Sequence, residues 1–476
     1  MLKTKDEVVV TVPVMPAELT NWSRSERSVC SICKPGDGEE IVEVLAAARA
    51  RGLSVVPHGA GHSYTDAALN TDGVVIDVTG MRRILSWNPE AGIMRVEPGA
   101  TLRDVVSVAL PDGWWPAITP STPDVTIGGC VAMNVTGKNA WKCGSFGEYV
   151  LAMDVVLATG EARHLTPERD AQLFQAFVGS AGLLGIITAI TLRLRRVASD
   201  QVTVRTRSAG SLDEILAVFA EEAQASDFLE AWIDGFAAGR RLGRGQVSCA
   251  TLRDVAGDTH SSFPIPNIWD RMAAPAARMI GNLCRPTLMS NVRVANEINN
   301  WWGRQMSRRQ ARQTGLIPYT YYPAAALAGY PALLPQGIET FQAFVPHDRA
   351  REIFAEILQY SQKREHMPIW CIVKQHRRDP FLLSYQVDGY SLELNYRRTR
   401  QTAQALERAL QRMIAIVIDA GGRLYLAKDH FLTHTQYRRS VGSPAIDAFL
   451  HLKRQYDPDA LLQSNLFRRV FQSSDG

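Results

Sequence analysis

The 476-residue sequence has no uninterrupted apolar run approaching the length of a membrane span. Its start, MLKTKDEVVVTVPVMPAELTNW, does not place an apolar stretch behind a basic one; polar and apolar residues alternate, with prolines between them. The cytosol is therefore the compartment expected. The formal net charge is only +4, too mild to argue for nucleic acid as a partner. Cysteines are few and odd in number, seven in all, which is not how a disulfide framework is built. Cys30 and Cys33 form a C-x-x-C, but no second pair and no H-x-x-x-H completes a zinc set. They are read as free thiols near an element boundary, and no metal is expected. Internal repeats and low-complexity linkers are missing as well.

What is present is a soluble globular composition, 46% hydrophobic and 21% charged. The chain is too long for one ordinary core, which predicts two units. From Glu39, EEIVEVLAAARARGLSVVPHG reads as an amphipathic helix, a glycine stop and a short strand. GVVIDVT, a hairpin over RILSWNPEAGIMRV, a short helix TLRDVVSVAL and a second hairpin over EYVLAMDVVLATGEARHLT follow. A helix, a glycine loop and a long strand then run to Val197. Beyond it, strand–helix alternation opens a second unit, with strands over IETFQAFVP, PIWCIVKQH and YSLELNYRR. The expected division is 1–197, 198–415 and a closing segment 416–476. Residues 260–315 have few strand signals, and NNWWGRQMSRRQARQTG sets Trp301 and Trp302 beside Arg304, Arg308, Arg309 and Arg312. Aromatics beside cations suit an anionic membrane surface; a packed insertion or lid accounts for them equally well.

The first unit carries three glycine-bearing loops: HGAGHS, TPSTPDVTIGGCVAMNVTGKNAWKCGSFG and VGSAGLLGIIT. A dinucleotide fingerprint fails, because Gly59-Ala60-Gly61 leads to a strand rather than a helix. A Walker loop fails too, since GKN at Gly137–Asn139 lacks the spacing and the hydroxyl. Three loops around one site suggest a long ligand gripped along its length.

These loops resemble those of the vanillyl-alcohol-oxidase-type, or PCMH-type, FAD-binding proteins. The P-x-G-x-G-x-S pattern matches Pro57, Gly59, Gly61 and Ser63, with Ala60 between the glycines. The T-I-G-G pattern matches Thr126, Ile127, Gly128 and Gly129, and the G-x-x-G-I-I-T pattern runs from Gly182 through Gly185, Ile186 and Ile187. The resemblance implies an α+β fold, a PCMH-type two-lobed FAD-binding domain plus an α/β substrate (cap) domain. It implies FAD held extended, with backbone amides on its pyrophosphate. Gly137, Lys138, Asn139 and Ser145 join the expected cofactor residues. In the sugar-lactone and alditol oxidases of this superfamily, G-H-S carries a histidine bonded covalently to the flavin. His62 stands at that position, so the resemblance implies FAD tethered through His62, with a histidine that hydrogen-bonds the cofactor without attachment as the alternative.

Over nearly the whole chain, the sequence is similar to the decaprenylphosphoryl-β-D-ribose 2′-oxidase family. LTNWSRSE, VTGKNAWKCGSFG, YLAKD and YDPDALLQSNLFRRV carry that likeness. Two departures stand out: His62 replaces an arginine, and Thr136 replaces a histidine before the G-K-N. The resemblance implies an FAD-dependent oxidoreductase acting on a CH–OH group of a small-molecule or lipid-linked sugar. An aldonolactone or alditol oxidase releasing hydrogen peroxide, and a flavin-dependent double-bond reductase, stay open, as do oxygen, a quinone or a partner reductase as electron acceptor. Peripheral contact with the inner face of the membrane goes with a lipid-linked substrate.

Oxidising an alcohol removes a hydroxyl proton while a hydride leaves carbon, and a nearby cation stabilises the charge that develops. Lys428 and Lys374, each in a short apolar run expected to be a strand, are the candidate catalytic residues. Burial is expected to draw such a lysine toward neutrality. Gln342, Asn395 and Tyr425 are candidate substrate residues, and Lys138 a cation for a substrate phosphate or the flavin. By strand alternation, His430 should share the face of Lys428.

Overall fold

The computed structural model describes residues 13–254, 263, 288–309, 311–325, 334, 336–364 and 366–472. The first sheet holds β1 (Met15–Thr20), β2 (Arg27–Cys33), β3 (Val55–His58) and β4 (Val74–Asp77), in the order β1-β2-β4-β3. The helix Gly38–Ala50 joins β2 to β3 and buries Ile41, Val44, Leu45 and Ala48, one stripe at helical spacing. Asp37 starts it, accepting a bond from the Glu40 amide. Cys30 and Cys33 lie three apart on β2 as buried free thiols, packed into different apolar clusters.

The outer edge of β3 is completed from far along the chain. Val55 N donates to Leu461 O (2.7 Å) and Gln463 N donates to Val55 O (2.9 Å). Asp457 holds this strap: it accepts the Leu461 and Leu462 amides (2.8 Å each) and pairs with the buried Lys453, whose Nζ also reaches Leu462 O.

The second sheet is antiparallel. It holds β5 (Ile84–Asn88), β6 (Ile93–Val96), β8 (Val150–Leu157), β9 (Ala162–Leu165) and β10 (Gly185–Arg193), in the order β5-β6-β10-β8-β9. A ribbon of β7 (Trp114–Trp115) and β11 (Arg195–Arg196) stands beside it.

The third sheet has eight strands: β12 (Gln201–Ala209), β13 (Phe228–Ile233), β14 (Gly245–Leu252), β15 (Arg312–Gly315), β16 (Ile338–Pro346), β17 (Trp370–His376), β18 (Gly389–Arg397) and β19 (Arg423–Leu424). Their order is β15-β12-β14-β13-β17-β18-β16-β19, every neighbour antiparallel. Alternation along β18 divides the sheet into two faces. Tyr390, Leu392, Leu394 and Tyr396 join the core made with the helices Leu212–Glu222, His347–Lys363 and Ala403–Asp419. Ser391, Glu393 and Asn395 point the other way, and that polar face bears the candidate site.

Of the 260–315 segment, residue 263, residues 288–309 and residues 311–315 are described, and the rest lies outside the described residues. The helix Leu288–Ser307 lies against β12 and β14 with its polar side inward. Asn296 and Asn300 are buried, Asn300 donates to Asp234 (3.2 Å), and Gln246 donates to Asn299 (2.9 Å). At Gly303 a side chain would strike Gln246, its Cβ only 2.3 Å from Oε1. The opposite stripe, Val294, Ile298, Trp301 and Trp302, is exposed by half or more. No helix among the described residues is long and apolar enough to cross a membrane.

Candidate active site

The three glycine loops meet. A Cβ at Gly59 would lie 2.3 Å from Thr126 Oγ1, and one at Gly182 would lie 2.4 Å from Pro57 Cγ, so only glycine allows these approaches. Gly61 has φ +67° and Gly182 +76°, conformations that favour glycine. Past His58 the chain leaves β3, and the amides of Ala60, Gly61, His62 and Ser63 donate to no group among the described residues. His58 Nδ1, at the root of the loop, is buried and has no partner either. A run of free amides beside closely packed glycine loops suits a diphosphate. The residues present therefore fit FAD, which supplies the hydride acceptor when bound.

The amides of Ile127, Gly128 and Gly129 are otherwise engaged, donating to Ala100 O, Pro98 O and Thr126 Oγ1. Thr126 and the glycines shape the cradle by contact. Ser145 caps the short helix Phe146–Tyr149 with Glu148, and Asn139 donates to Ala117 O (2.8 Å). Gly185, Ile186 and Ile187 are buried on β10, where a Cβ on Gly185 would meet Phe177 and the Val156 carbonyl at 2.8 Å. A Cβ on Gly137 would lie 2.7 Å from Thr119 O.

The loop after β3 is clasped from two directions. Trp22 N donates to Ser63 O (3.0 Å), and Asn21 and Ser23 side chains both donate to Tyr64 O (2.8 Å). On the far side Tyr64 N donates to Ala427 O (2.8 Å) and Thr65 Oγ1 to Leu426 O (2.7 Å). His62 packs on Trp22, ring centroids 4.3 Å apart. Burial draws its pKa below the ordinary histidine value against the pull of Asp124, which favours a neutral ring.

Lys428 sits on a turn, not on the strand expected. Only Arg423–Leu424 pair with β16; Lys428 N and Asp429 N both donate to Tyr425 O (2.9 Å). The buried Asp429 carboxylate closes the turn by accepting the Tyr425 amide (2.8 Å), and ties it to β16 through Gln342 N (3.1 Å). Burial pushes the Asp429 carboxyl up to about 7. The turn also separates residues that alternation would have put together. Lys428 faces Glu393, whereas His430 points to Glu26 (Nε2 to Oε1, 3.2 Å).

Lys428 Nζ lies 2.9 Å from Glu393 Oε1 and 4.0 Å from the centre of the Tyr64 ring. The ammonium is thus held between the cofactor loop and the polar sheet face. Burial, the largest single influence, pulls its pKa down, but Glu393, Tyr64 and Asp429 together outweigh it and the net shift is upward, opposite to the shift expected for a buried lysine. A second group continues the pattern: Glu230 lies 3.2 Å from Lys138 and 3.3 Å from Lys374. Three ammoniums and two carboxylates therefore line one wall. Lys138 is committed here, to Glu230 and to Tyr319 O (3.3 Å), rather than left free for a phosphate.

Among the substrate candidates, Gln342 donates to Ser391 Oγ (3.4 Å), which His376 Nε2 also contacts (2.8 Å). Asn395 accepts from Thr340 (2.7 Å) and donates to Glu393 (3.2 Å). Tyr425 stacks on Tyr385 (3.9 Å) in a cluster with Phe344. Glu230, Glu393, Ser391 and Tyr64 contact the candidate residues but escaped the sequence reading. The alternation in FLEAWI and YSLELNY, which puts a carboxylate on the face opposite the apolar residues, was the signal that could have found the two glutamates.

Residues 31–166 match the FAD-binding domain family, and residues 192–470 match the D-arabinono-1,4-lactone oxidase family. The chain is 29% identical to the decaprenylphosphoryl-β-D-ribose oxidase of Mycolicibacterium smegmatis over 465 residues, covering 96% of this chain and 98% of that protein. It is 24% identical to the L-gulono-1,4-lactone dehydrogenase of Mycobacterium tuberculosis over 468 residues, 95% and 98% of the two chains. The D-lactate dehydrogenase of Anaerostipes hadrus is 34% identical over 162 residues, about a third of each chain (33% and 34%).

Proposed function

Because the chain belongs to the D-arabinono-1,4-lactone oxidase family and is an FAD-dependent oxidoreductase, we propose that it oxidises a secondary alcohol of a sugar by hydride transfer to the flavin. The observation that carries this reading is the Lys428 ammonium, fixed between Tyr64 of the cofactor loop and Glu393 of the sheet. A buried cation there stabilises an alkoxide as it forms, and such stabilisation acts mainly in the transition state. Ser391 and Gln342, on the same face, supply hydrogen-bonding groups suited to sugar hydroxyls. Lys428 and Lys374 are the residues to which we assign the chemistry.

The experiment is anaerobic mixing of the flavoprotein with sugars, alditols, aldonolactones and prenyl-phosphate sugars, following flavin bleaching. Bleaching by a sugar or prenyl-phosphate sugar is expected. Bleaching by lactones or alditols alone would favour the lactone-oxidase reading, which the tethering position of His62 supports. We also assign His62 as the point of covalent attachment: its neutral, stacked ring keeps a lone pair for a bond to the cofactor.

A lipid-linked sugar would have to be met at a membrane, and the helix Leu288–Ser307 suits that task. It buries Asn296 and Asn300 and exposes Val294, Ile298, Trp301 and Trp302, the reverse of an ordinary surface helix. Arg293, Arg304, Arg308 and Arg309 are exposed beside that stripe and make no ion pair among the described residues, which matches an anionic lipid surface. A cytoplasmic protein resting peripherally on the inner face of the membrane follows from this reading.

A further inference from the structure

Lys428 is surrounded by charge from every side of the site. Glu393 on β18 pairs with it directly, Tyr64 lies under it, and Asp429 is its neighbour on the turn. Lys374 on β17, Glu230 on β13 and Lys138 complete the row. Glu393 is the carboxylate in contact with the Lys428 ammonium. Its Oε1 also receives the Asn395 side chain (3.2 Å), which fixes it in place, and its own side chain is only 9% exposed.

We propose that Glu393 is a positioning residue for the oxidation, acting through Lys428: it keeps the lysine a permanent ammonium, so that Lys428 stabilises developing negative charge while the substrate's hydroxyl proton passes to water and not to the lysine. The inference rests on the alcohol-oxidation reading for its catalytic consequence, but not for the charge state itself. A lysine enclosed this far loses its proton readily unless a carboxylate stands against it. Glu393 is positioned to do this, and the ring face of Tyr64 adds a weaker attraction for the cation. A neutral lysine here could accept a proton; a charged one cannot. Glu393 thereby chooses between two chemistries for the same side chain.

Replacing Glu393 by glutamine preserves size and hydrogen bonding while removing the charge. The active form of Lys428 is then the protonated one with a lowered pKa, so rate is lost as pH rises through that value. In lysine-¹⁵N-labelled holoprotein, with the Lys428 signal assigned by Lys428→Arg, the wild-type Nζ should stay protonated up to about pH 10. In Glu393→Gln it should titrate at least a pH unit lower. Anaerobic flavin reduction in the wild type should lose no rate between pH 8 and 9, above the range in which Asp429 titrates. In Glu393→Gln it should fall about tenfold per pH unit above the new pKa. Lys428→Ala should be slow, by about a hundredfold or more, at every pH.

Glu393→Asp, which keeps the charge, should restore most of the wild-type profile and serves as the test should the glutamine variant not fold. An unchanged Lys428 titration in a folded variant would overturn the proposal. So would a slowing of Glu393→Gln that is equal at all pH values, which would make Glu393 itself the proton acceptor or a purely structural group. The titration needs no substrate, so it fails or succeeds independently of which alcohol the enzyme oxidises.

Discussion

His62 shows what one side chain can carry at the residue scale. Its place directly after Gly61 was legible in the sequence, because a G-H-S at the end of a glycine loop has a specific chemical meaning in flavoproteins. Its partner was not legible, since Trp22 lies forty residues earlier and meets it only through the turn that binds Ser63 and Tyr64. Acid-precipitated wild-type protein should keep its flavin in the pellet, and His62→Ala should release it. Flavin found wholly in the wild-type supernatant would remove the tether from the account. Lys374 and Lys428 were likewise visible as cations in apolar runs. For the glutamates that hold them, the alternation in FLEAWI and YSLELNY marks the face each stands on, but which lysine each meets is fixed only when the strands pair. Glu230 stands opposite Lys374 only once β13 and β17 are paired, Ala231 against Val373.

At the scale of elements, the hydrophobic periods found β3 to β6, β8 to β10 and the helices at 38–50, 102–109 and 171–177, and in the large sheet β12, β16, β17 and β18; β1, β2, β13 and β14 went unread. They failed at YLAKDHF. That run is apolar enough for a strand, yet the Asp429 side chain captures the Tyr425 amide and curls it into a turn. That bond is local, but the same carboxylate is also anchored on Gln342 N of β16, a tertiary contact that the run itself does not show. Hydropathy also could not reveal which way the helix Leu288–Ser307 turns its stripe. Its exposed face makes a direct prediction. Wild-type protein should co-sediment with phosphatidylglycerol vesicles and much less with phosphatidylcholine, and raised salt should weaken the binding. Trp301→Ala with Trp302→Ala should weaken it by about tenfold or more while leaving flavin reduction by a soluble substrate unchanged. Equal sedimentation of both proteins would assign that face to some other contact.

On the scale of the whole molecule, the chain closes on itself beside the cofactor. β3, from which the free-amide loop springs, is completed along its outer edge by residues 461–463, and Asp457 with Lys453 clamps that strap. Breaking a buried, hydrogen-bonded ion pair of this kind destabilises by about 3–5 kcal/mol. Asp457→Asn should therefore lower the unfolding temperature and loosen FAD, measured as the flavin-to-protein ratio after gel filtration. Full flavin content with an unchanged melting temperature would show that the strap is dispensable. The order of synthesis gives the arrangement a further meaning. A ribosome makes the glycine loop early but delivers the strap that steadies it some four hundred residues later. The cradle for the flavin thus gains its outer edge only once residues 461–463 have been made, long after the loop that they steady. A fragment ending before Asp457 would therefore carry every glycine motif without this edge, and it should hold FAD more weakly than the full chain.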